Sequence, residues 1–149
     1  MECRIRYLAS NPRVLLESMQ LTIVLIDDDP DDIELLQQAI AEVDPRAICI
    51  PFTHSSKAIR SLLNSRLTFV PDHIFIDHNM PEMSGQECVK VLRSMKEFDL
   101  TSISVVSTTM GDLDSRLFTS LGANFTFQKP AKHSDYCRLV RIVFEHDPC

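Results

Sequence analysis

The sequence predicts an α/β fold, a doubly wound parallel sheet of five strands with five helices. From Leu21 onward, short apolar runs rich in β-branched residues alternate with amphipathic stretches, and this alternation is typical of a parallel sheet covered by helices. Acidic or small polar residues separate the runs, as turns and helix caps require. The length of 149 residues and the hydrophobic content of 44% suit one domain with a buried core.

The first strand and helix occupy the segment that begins at Leu21. The run over 21–26 is apolar on both faces, which is typical of a central strand. Asp29 is a suitable helix cap and Pro30 a suitable first helical residue, so a helix should begin there. Apolar residues then recur at helical spacing, at Ile33, Leu36, Ile40 and Val43.

The second and third units follow the same order. The second strand is predicted over 47–52, where Pro51 indicates an edge strand, and its helix over 56–64. The third strand is predicted over 73–77. Ser84, with a glutamate three residues later, has the spacing of a capping box and predicts the start of the next helix.

The last two units are shorter. Strands are predicted over 103–107 and 124–128, and helices over 112–121 and 134–146. The residues expected to face the core from these helices are Leu113, Leu117 and Leu121 in the first, and Leu139, Val140 and Val143 in the second.

Polar residues stand at the carboxyl ends of four predicted strands. Asp27 and Asp28 follow the first strand, Asp77 ends the third, Ser107 the fourth, and Lys129 follows the fifth. Each has an ordinary explanation taken alone, such as a turn acid, a satisfied hydroxyl or a solvated lysine. Because the carboxyl ends of parallel strands share one edge of a sheet, we expect the five side chains to lie in one pocket.

Three carboxylates in one pocket repel one another and need counter-charges. Lys129 supplies one, and a divalent cation would supply the rest. Ligands that are all oxygen favour Mg²⁺, Mn²⁺ or Ca²⁺ over zinc. A hydroxyl and an ammonium aimed at the same point would suit phosphoryl oxygens, so the pocket indicates phosphate chemistry.

Other motif interpretations fail. An EF-hand loop from Asp27 would need glycine at its sixth position and glutamate at its twelfth, where Asp32 and Gln38 stand. The glycine–lysine pattern of a P-loop is absent. The histidines show no metal-ligand spacing, so we expect them to be solvated or half-buried: His54, His73, His78, His133 and His146.

Composition argues against several functional classes. The net charge is −6 and the fifteen basic residues are scattered, whereas nucleic-acid binding needs a basic face. No apolar run approaches the ~20 residues of a bilayer span, and the N-terminus lacks the apolar stretch of a secretory signal. The five cysteines form no CxxC pair, so we expect reduced, mostly buried thiols in a cytoplasmic protein.

Over about 21–146 the chain resembles the receiver domains of response regulators in two-component signalling. The matching segments are the acidic end of the first strand (23–29), the stretch that follows Asp77 (77–85), the end of the fourth strand (105–108), and the segment from Gly122 to Pro130 (122–130). The resemblance implies a flavodoxin-like sheet in the strand order 2-1-3-4-5. Residues 1–20 show no strong strand pattern, so we expect an N-terminal extension over 1–20 that is loosely or partly ordered, with one helical turn over 12–17 as an alternative, and a receiver domain over 21–149.

The resemblance also implies roles for matching positions. Asp77 would be the phosphoacceptor, and Asp27, Asp28, Asp77 and the backbone carbonyl of Asn79 would hold Mg²⁺, with Mn²⁺ as an alternative. Ser107 would be the switch hydroxyl. Lys129 would pair with the phosphoryl group. The chain would then be no enzyme in the usual sense but a phosphoacceptor that assists its own phosphorylation and dephosphorylation.

The same resemblance implies partners and a location. The phosphoryl donor would be a sensor histidine kinase or a histidine phosphotransfer protein, and an unknown protein would be the downstream target. We expect no nucleic-acid or membrane partner and a cytoplasmic location. Because no output domain follows the last helix in this sequence, we expect a stand-alone receiver. Family analogy also allows a homodimer through the fourth helix, fifth strand and fifth helix.

Three positions depart from the common receiver pattern. Thr126, between Phe125 and Phe127, stands where many receivers carry an aromatic residue that rotates in the switch. His78 stands where an apolar residue is commoner, and we expect a surface histidine. Thr108 stands where a small residue is frequent, and our hypothesis is that it slows the entry of water; an unchanged dephosphorylation rate in Thr108→Ala would contradict this.

Two other function classes remain as alternatives. One is an interaction module with a receiver fold that is never phosphorylated, which the intact acids and lysine disfavour. The other is a phosphohydrolase with its nucleophile in an Asp-x-Asp-x-Thr/Val run. Asp27 and Asp29 fit the acids of that run, but Asp31 stands in the place of the last residue.

Overall fold

The computed structural model of the chain describes residues 20–64 and 70–146. The extension predicted over 1–20 lies outside this range except for Gln20. Among the described residues, the strands β1 to β5 span Thr22–Ile26, Ile48–Phe52, His73–Asp77, Ser102–Ser107 and Phe125–Gln128. The helices α1 to α5 span Pro30–Val43, Ser55–Leu63, Gly85–Ser94, Asp112–Leu121 and His133–Glu145, and a short 3-10 helix covers Lys96–Phe98.

The strands form one sheet in the order β2-β1-β3-β4-β5, and every pairing is parallel. This confirms the predicted fold class and strand order. It also confirms that β2, the strand with Pro51, lies at an edge. Because all five carboxyl ends meet at one edge, the topology places the loops after β1, β3, β4 and β5 beside one another.

Two helix starts have the predicted caps. The Asp29 carboxylate accepts a hydrogen bond from the Asp31 amide at 2.9 Å, with Pro30 as the first helical residue. At α3, the Ser84 hydroxyl accepts from the Glu87 amide at 3.2 Å, and the Glu87 carboxylate accepts from the Ser84 amide at 2.8 Å. These bonds satisfy amides that have no partner inside the helix.

The sheet separates two apolar layers. Alternate residues of β1 point to opposite faces, so Ile23 and Leu25 pack with α1 and α5, while Val24 and Ile26 pack with α2, α3 and α4. All four side chains are buried. Burying such a side chain stabilises the fold by about 1.5–3 kcal/mol, so this central strand anchors both layers.

Helix α4 does not use the predicted apolar face. Leu113 is 80% exposed and Leu117 is 39% exposed, whereas Phe118 is fully buried under the helix. The prediction was therefore wrong for the first two leucines, although Leu121 does pack against the core. The aromatic side chain offers more apolar area than either leucine, and its burial sets the rotation of the helix about its axis.

The histidine and cysteine predictions have mixed outcomes. His73 is buried and packs against Phe144 with ring centroids 5.0 Å apart, so the expectation of a solvated or half-buried ring was wrong there. Burial lowers the pKa of His73 to about 4, which keeps the ring neutral at pH 7. Within the described ranges, the cysteines are free thiols, two of them buried: Cys49, Cys88 and Cys137.

No helix within the described ranges is both long enough and apolar enough to span a bilayer.

Candidate functional site

Three carboxylates gather at the carboxyl edge of the sheet. Asp77 ends β3 and is 7% exposed, and Asp27 and Asp28 follow the adjacent strand β1. One carboxylate oxygen from each of the three lies within 4.8 Å of the others. The strand topology therefore brings together acids that stand about fifty positions apart in the sequence.

Lys129 reaches this acid group from the end of β5. Its Nζ lies 2.8 Å from Asp27 Oδ2 and 3.5 Å from Asp77 Oδ1. It also lies 2.7 Å from Asp32 Oδ2, on the first turn of α1. The sequence analysis did not identify Asp32 as a partner of Lys129. A lysine and an acid 97 residues apart carry no local signal, and only the docking of α1 beside β5's end joins them.

The charges in this pocket perturb one another. Burial, with the negative charges of Asp27 and Asp28, raises the pKa of Asp77 to about 7, although Lys129 acts in the opposite direction. Burial also raises the pKa of Asp27. For Lys129, burial lowers the pKa, but the hydrogen bonds to Asp27 and Asp32 outweigh it, so the net shift is upward and the side chain is an ammonium. The pocket therefore favours any added positive charge.

The donor set fits a hard divalent cation. The three acids offer oxygen atoms close enough to share one ion, and a single ammonium leaves their charge incompletely balanced. Asp27, Asp28 and Asp77 would hold the ion. For Asn79 the structure gives a side-chain contact, its Nδ2 donating to Ser107 Oγ at 3.4 Å, and the role of its backbone carbonyl as a ligand stays a prediction.

Ser107 lies at the end of β4, beside the acid strand. Val106 pairs with Asp77 in the sheet register, so Ser107 stands one residue beyond that pair. Its side chain is fully buried, and its hydroxyl oxygen also accepts a hydrogen bond from the Thr109 amide at 3.3 Å. Its backbone carbonyl accepts from the Lys129 amide at 2.8 Å, which ties the two predicted site residues together.

Gly85 allows the loop after Asp77 to fold tightly over β3. Its amide donates to the His78 carbonyl at 3.0 Å. A Cβ on this residue would lie 2.6 Å from the Asp77 carbonyl oxygen and 2.9 Å from His78 Cα, distances at which backbone atoms must move. The glycine is therefore required by close approach to the site.

Two of the departures from the receiver pattern have a structural explanation. His78 is half-buried, not a surface histidine, and its ring packs edge-on against Phe118 with centroids 4.9 Å apart. Thr126 faces α4, where its hydroxyl donates to Ser115 Oγ at 3.1 Å. The flanking Phe125 and Phe127 stack with each other on the opposite face of β5. The aromatic rings beside Thr126 therefore belong to the α1–α5 layer.

Comparisons with known proteins agree with this geometry. A family model described as the response regulator receiver domain matches residues 23–141. Stress response regulator protein 1 from Candida albicans is 28% identical over 113 residues, which cover 76% of this chain and 39% of that protein. The chain thus spans about two fifths of the length of this relative, and the expected stand-alone organisation stays a prediction.

Solved structures share the fold. The phosphorylated cyanobacterial phytochrome response regulator RcpA superposes with a TM-score of 0.76 at 22% identity, covering 87% of this chain and 94% of that one. The Mn²⁺-bound form of response regulator Rcp1 superposes with a TM-score of 0.72 at 18% identity, covering 85% and 93%.

Proposed function

Because the chain belongs to the response-regulator receiver family, we propose that it takes up a phosphoryl group on Asp77 and so serves as a signalling phosphoacceptor. Receiver domains accept phosphoryl groups in two-component signalling, and this chain shares their fold. The observation that carries the proposal is the grouping of Asp27, Asp28 and Lys129 around one nearly buried carboxylate.

In the proposed reaction, a carboxylate oxygen of Asp77 attacks the phosphorus of a phosphohistidine in line. The new O–P bond forms as the N–P bond to the donor imidazole breaks, and the imidazole leaves with that electron pair. Lys129 Nζ lies 3.5 Å from Asp77 Oδ1. It is therefore close enough to stabilise the negative charge on the oxygens of the transferred phosphoryl group. The product is an aspartyl phosphate, which water later hydrolyses.

Asp27 and Asp28 serve this reaction by holding a divalent cation, which we propose to be Mg²⁺ with Mn²⁺ as a substitute. When bound, the ion neutralises charge on the phosphoryl oxygens. The upward pKa shift of Asp77 supports the need for positive charge, since a protonated carboxyl is a poor nucleophile. Lys129 and a cation both favour the ionised carboxylate.

Ser107 is proposed as the switch hydroxyl and Asn79 as a neighbour that keeps it oriented before phosphorylation. The Asn79 amide and the Thr109 amide both donate to the Ser107 hydroxyl oxygen. Movement of the hydroxyl toward a phosphoryl group would break both bonds and so loosen the loop after β4. This would shift the population between two packings of that loop and α4.

Partners follow from the family and from one exposed surface. The proposed donor is a histidine kinase or a histidine phosphotransfer protein in the cytoplasm, and the downstream target is a further protein. Leu113 and Leu117 leave an apolar patch on α4, which supports the proposed association, including a homodimer, through α4, β5 and α5. Exposed apolar patches commonly mark protein-binding surfaces.

The two alternative functions have less support. In the hydrolase alternative Asp29 would act beside Asp27, but its carboxylate caps α1 by accepting from the Asp31 amide at 2.9 Å. The interaction-module alternative requires no acid cluster, yet the cluster raises the pKa of Asp77 and so disfavours its ionised form. Neither alternative accounts for the approach of Lys129 to the acids.

Intact mass measurement tests the proposal. The chain is incubated with Mg²⁺ and either acetyl phosphate or a phosphorylated histidine phosphotransfer protein, and the expected result is one added phosphoryl group. Asp77→Asn should abolish it, whereas Asp31→Asn, an exposed acid nearby, should retain it. No adduct from either donor would favour the interaction module. Hydrolysis of a small phosphate ester that survives Asp77→Asn but not Asp27→Asn would favour the hydrolase.

A further inference from the structure

A second group of metal-ligating side chains lies between α1 and α5, apart from the acid–lysine cluster. Glu42 belongs to the last turn of α1, and His133 and Cys137 stand one helical turn apart at the start of α5. One ligand atom from each of the three lies within 4.8 Å of the other two. The sequence analysis did not consider His133 with Cys137, although a cysteine four positions later places the two side chains on one helix face.

The distances fit a tetrahedral ion with little movement. His133 Nε2 lies 3.4 Å from Cys137 Sγ and 2.7 Å from Glu42 Oε2. Zinc bound at about 2.0–2.3 Å separates such ligand atoms by roughly 3.3–3.8 Å. The sulfur–nitrogen pair already has this separation. The glutamate, whose side chain is 56% exposed, needs to withdraw by less than about 1 Å, which a flexible carboxylate can do.

We propose that Glu42, His133 and Cys137 form a binding site for a zinc-like divalent cation, with a fourth position open to water. The ligand set of one carboxylate, one imidazole and one thiolate matches zinc chemistry and is unsuited to Mg²⁺, which prefers oxygen alone. The site therefore selects a different ion from the acid cluster, and it does not depend on the proposed phosphoacceptor function.

The charges and exposure of the surroundings are compatible with this ion. The last turn of α1 carries no basic residue, and its carboxyl end has the negative pole of the helix dipole. His133 is the main influence on Glu42 and lowers its pKa through their hydrogen bond, and Arg141, one turn beyond Cys137, adds a weaker attraction. Cys137 is buried while His133 is 43% exposed, so an ion can enter from the solvent side.

Binding replaces the Cys137 thiol proton and releases it to the buffer, while the imidazole and carboxylate bind without any redox step. The bound ion would join residues 91 positions apart and fix α1 against α5. Since only the folded chain presents the three ligands together, the cation should raise the midpoint of thermal unfolding.

Titration with Co²⁺ as a spectroscopic substitute for Zn²⁺ tests the site, with excess Mg²⁺ present to occupy the acid cluster. The expected result is a thiolate-to-cobalt charge-transfer absorption that saturates at one ion per chain and is displaced by Zn²⁺. His133→Ala, a change of an exposed side chain, should weaken binding at least tenfold, roughly the loss that even outer-shell partners cause. Glu42→Gln should weaken it less.

Matched variants separate the outcomes. Cys137→Ser should remove the absorption and the zinc-dependent rise in the unfolding midpoint, while Cys49→Ser and Asp28→Asn should retain both. Circular dichroism checks that each variant is folded. Absence of the thiolate band in the unmodified chain, or its persistence in Cys137→Ser, would overturn the proposal and leave a hydrogen-bonded Glu42–His133 pair beside a buried thiol. An unchanged affinity in His133→Ala would overturn it independently.

Discussion

The polar groups at the amino ends of the strands, called here the amino edge, are more fully paired than those at the carboxyl ends, the carboxyl edge. At the amino edge, Arg93 donates to four oxygens, the carbonyls of Gly122, Phe98 and Thr101 and the side chain of Asn124, at 2.5–2.8 Å. At the carboxyl edge, three acids share Lys129, namely Asp27, Asp32 and Asp77, and Asp28 lies beside two of them. The charge of Arg93 at the amino edge is met by these hydrogen bonds, whereas the carboxyl edge carries an excess of negative charge.

The difference indicates which edge stabilises the fold and which is available for chemistry. Asn124 extends the amino-edge network by accepting from the Ile103 amide at 2.8 Å, and Asp72 does the same for the Thr22 amide at 2.9 Å. Such bonds hold the strand starts in register. The acids of the carboxyl edge instead cost stability in the absence of a cation, and this cost is what binding of positive charge relieves.

Removing Arg93 should have the largest effect on stability. Arg93→Ala deletes four hydrogen bonds, each worth about 0.5–1.5 kcal/mol, so the free energy of unfolding should fall by about 4 kcal/mol. Urea unfolding measures this, with the exposed Arg138→Ala as the control. The remaining folded protein should still form the Asp77 adduct, because no Arg93 contact touches the acid cluster. A loss under 1 kcal/mol would show that the amino edge is not the stabilising one.

Neutralising Asp77 should raise the free energy of unfolding, whereas removing Arg93 should lower it. Because the folded-state pKa of Asp77 is raised from 3.8 to about 7, its contribution to stability is complete below pH 4 and is lost as the pH rises through 7. In metal-free buffer, Asp77→Asn should therefore unfold at higher urea than the unmodified chain at pH 8. We expect the free energy of unfolding to rise by on the order of 2 kcal/mol. Each unit of pKa shift corresponds to about 1.4 kcal/mol, and Asp77 receives only part of the full effect because the neighbouring acids titrate together with it.

The pH profile provides the control for that variant. The gain should shrink toward zero below pH 4, where Asp77 is protonated in the folded state and becomes protonated in the unfolded state as well. It should also shrink when Mg²⁺ is added at pH 8. Destabilisation by Asp77→Asn at every pH would contradict the view that the carboxyl edge carries unrelieved repulsion.

A methyl group on Gly85 should disturb the carboxyl edge by crowding. Gly85→Ala places a Cβ 2.6 Å from the Asp77 carbonyl oxygen, and overpacking of this kind costs about 1–3 kcal/mol. Adduct formation should slow because the backbone of Asp77 must shift. Gly111→Ala is the matched control, since its Cβ would meet only the Asp114 side chain at 3.4 Å. Equal effects of the two variants would contradict a special role for Gly85.

The smallest expected effect comes from neutralising Asp32, one of the ion-pair partners of Lys129. Asp32→Asn removes a partner 2.7 Å from Lys129 Nζ, and a partly exposed ion pair is worth about 0.2–1 kcal/mol, which corresponds to a change of roughly 1.4-fold to fivefold. The freed ammonium should favour Asp77, so the adduct should form faster with acetyl phosphate. Asp31→Asn is the control, and a slower rate in Asp32→Asn would indicate that Asp32 positions the lysine instead.

Much of the fold could be predicted because its signals are local. The apolar run of β1, the Asp29–Pro30 helix start and the Ser84 capping box all depend on residues a few positions apart. The gathering of Asp27, Asp28 and Asp77 also followed from strand ends alone, because parallel topology decides where those ends meet. The ion-pair partners within the site did not follow from it.

Long-range packing explains what the sequence could not supply. The contact of Lys129 with Asp32 depends on how α1 docks beside β5. The rotation of α4 depends on Phe118 entering the core in place of two leucines with equal helical spacing. Burial of His73 depends on Phe144 of the last helix reaching it. In each case a local pattern permits several arrangements, and a distant side chain selects one.

Proline at position 51 affects how copies of the chain can meet. The Ile48 amide points to β1, so the amides of Cys49 and of position 51 would point outward from this edge strand. Pro51 has no amide hydrogen, and a strand from another molecule would find one of these two donors missing. Among the described strands, β2 has no partner on this side. The missing donor makes it a poor template for the addition of further strands and so for fibril growth.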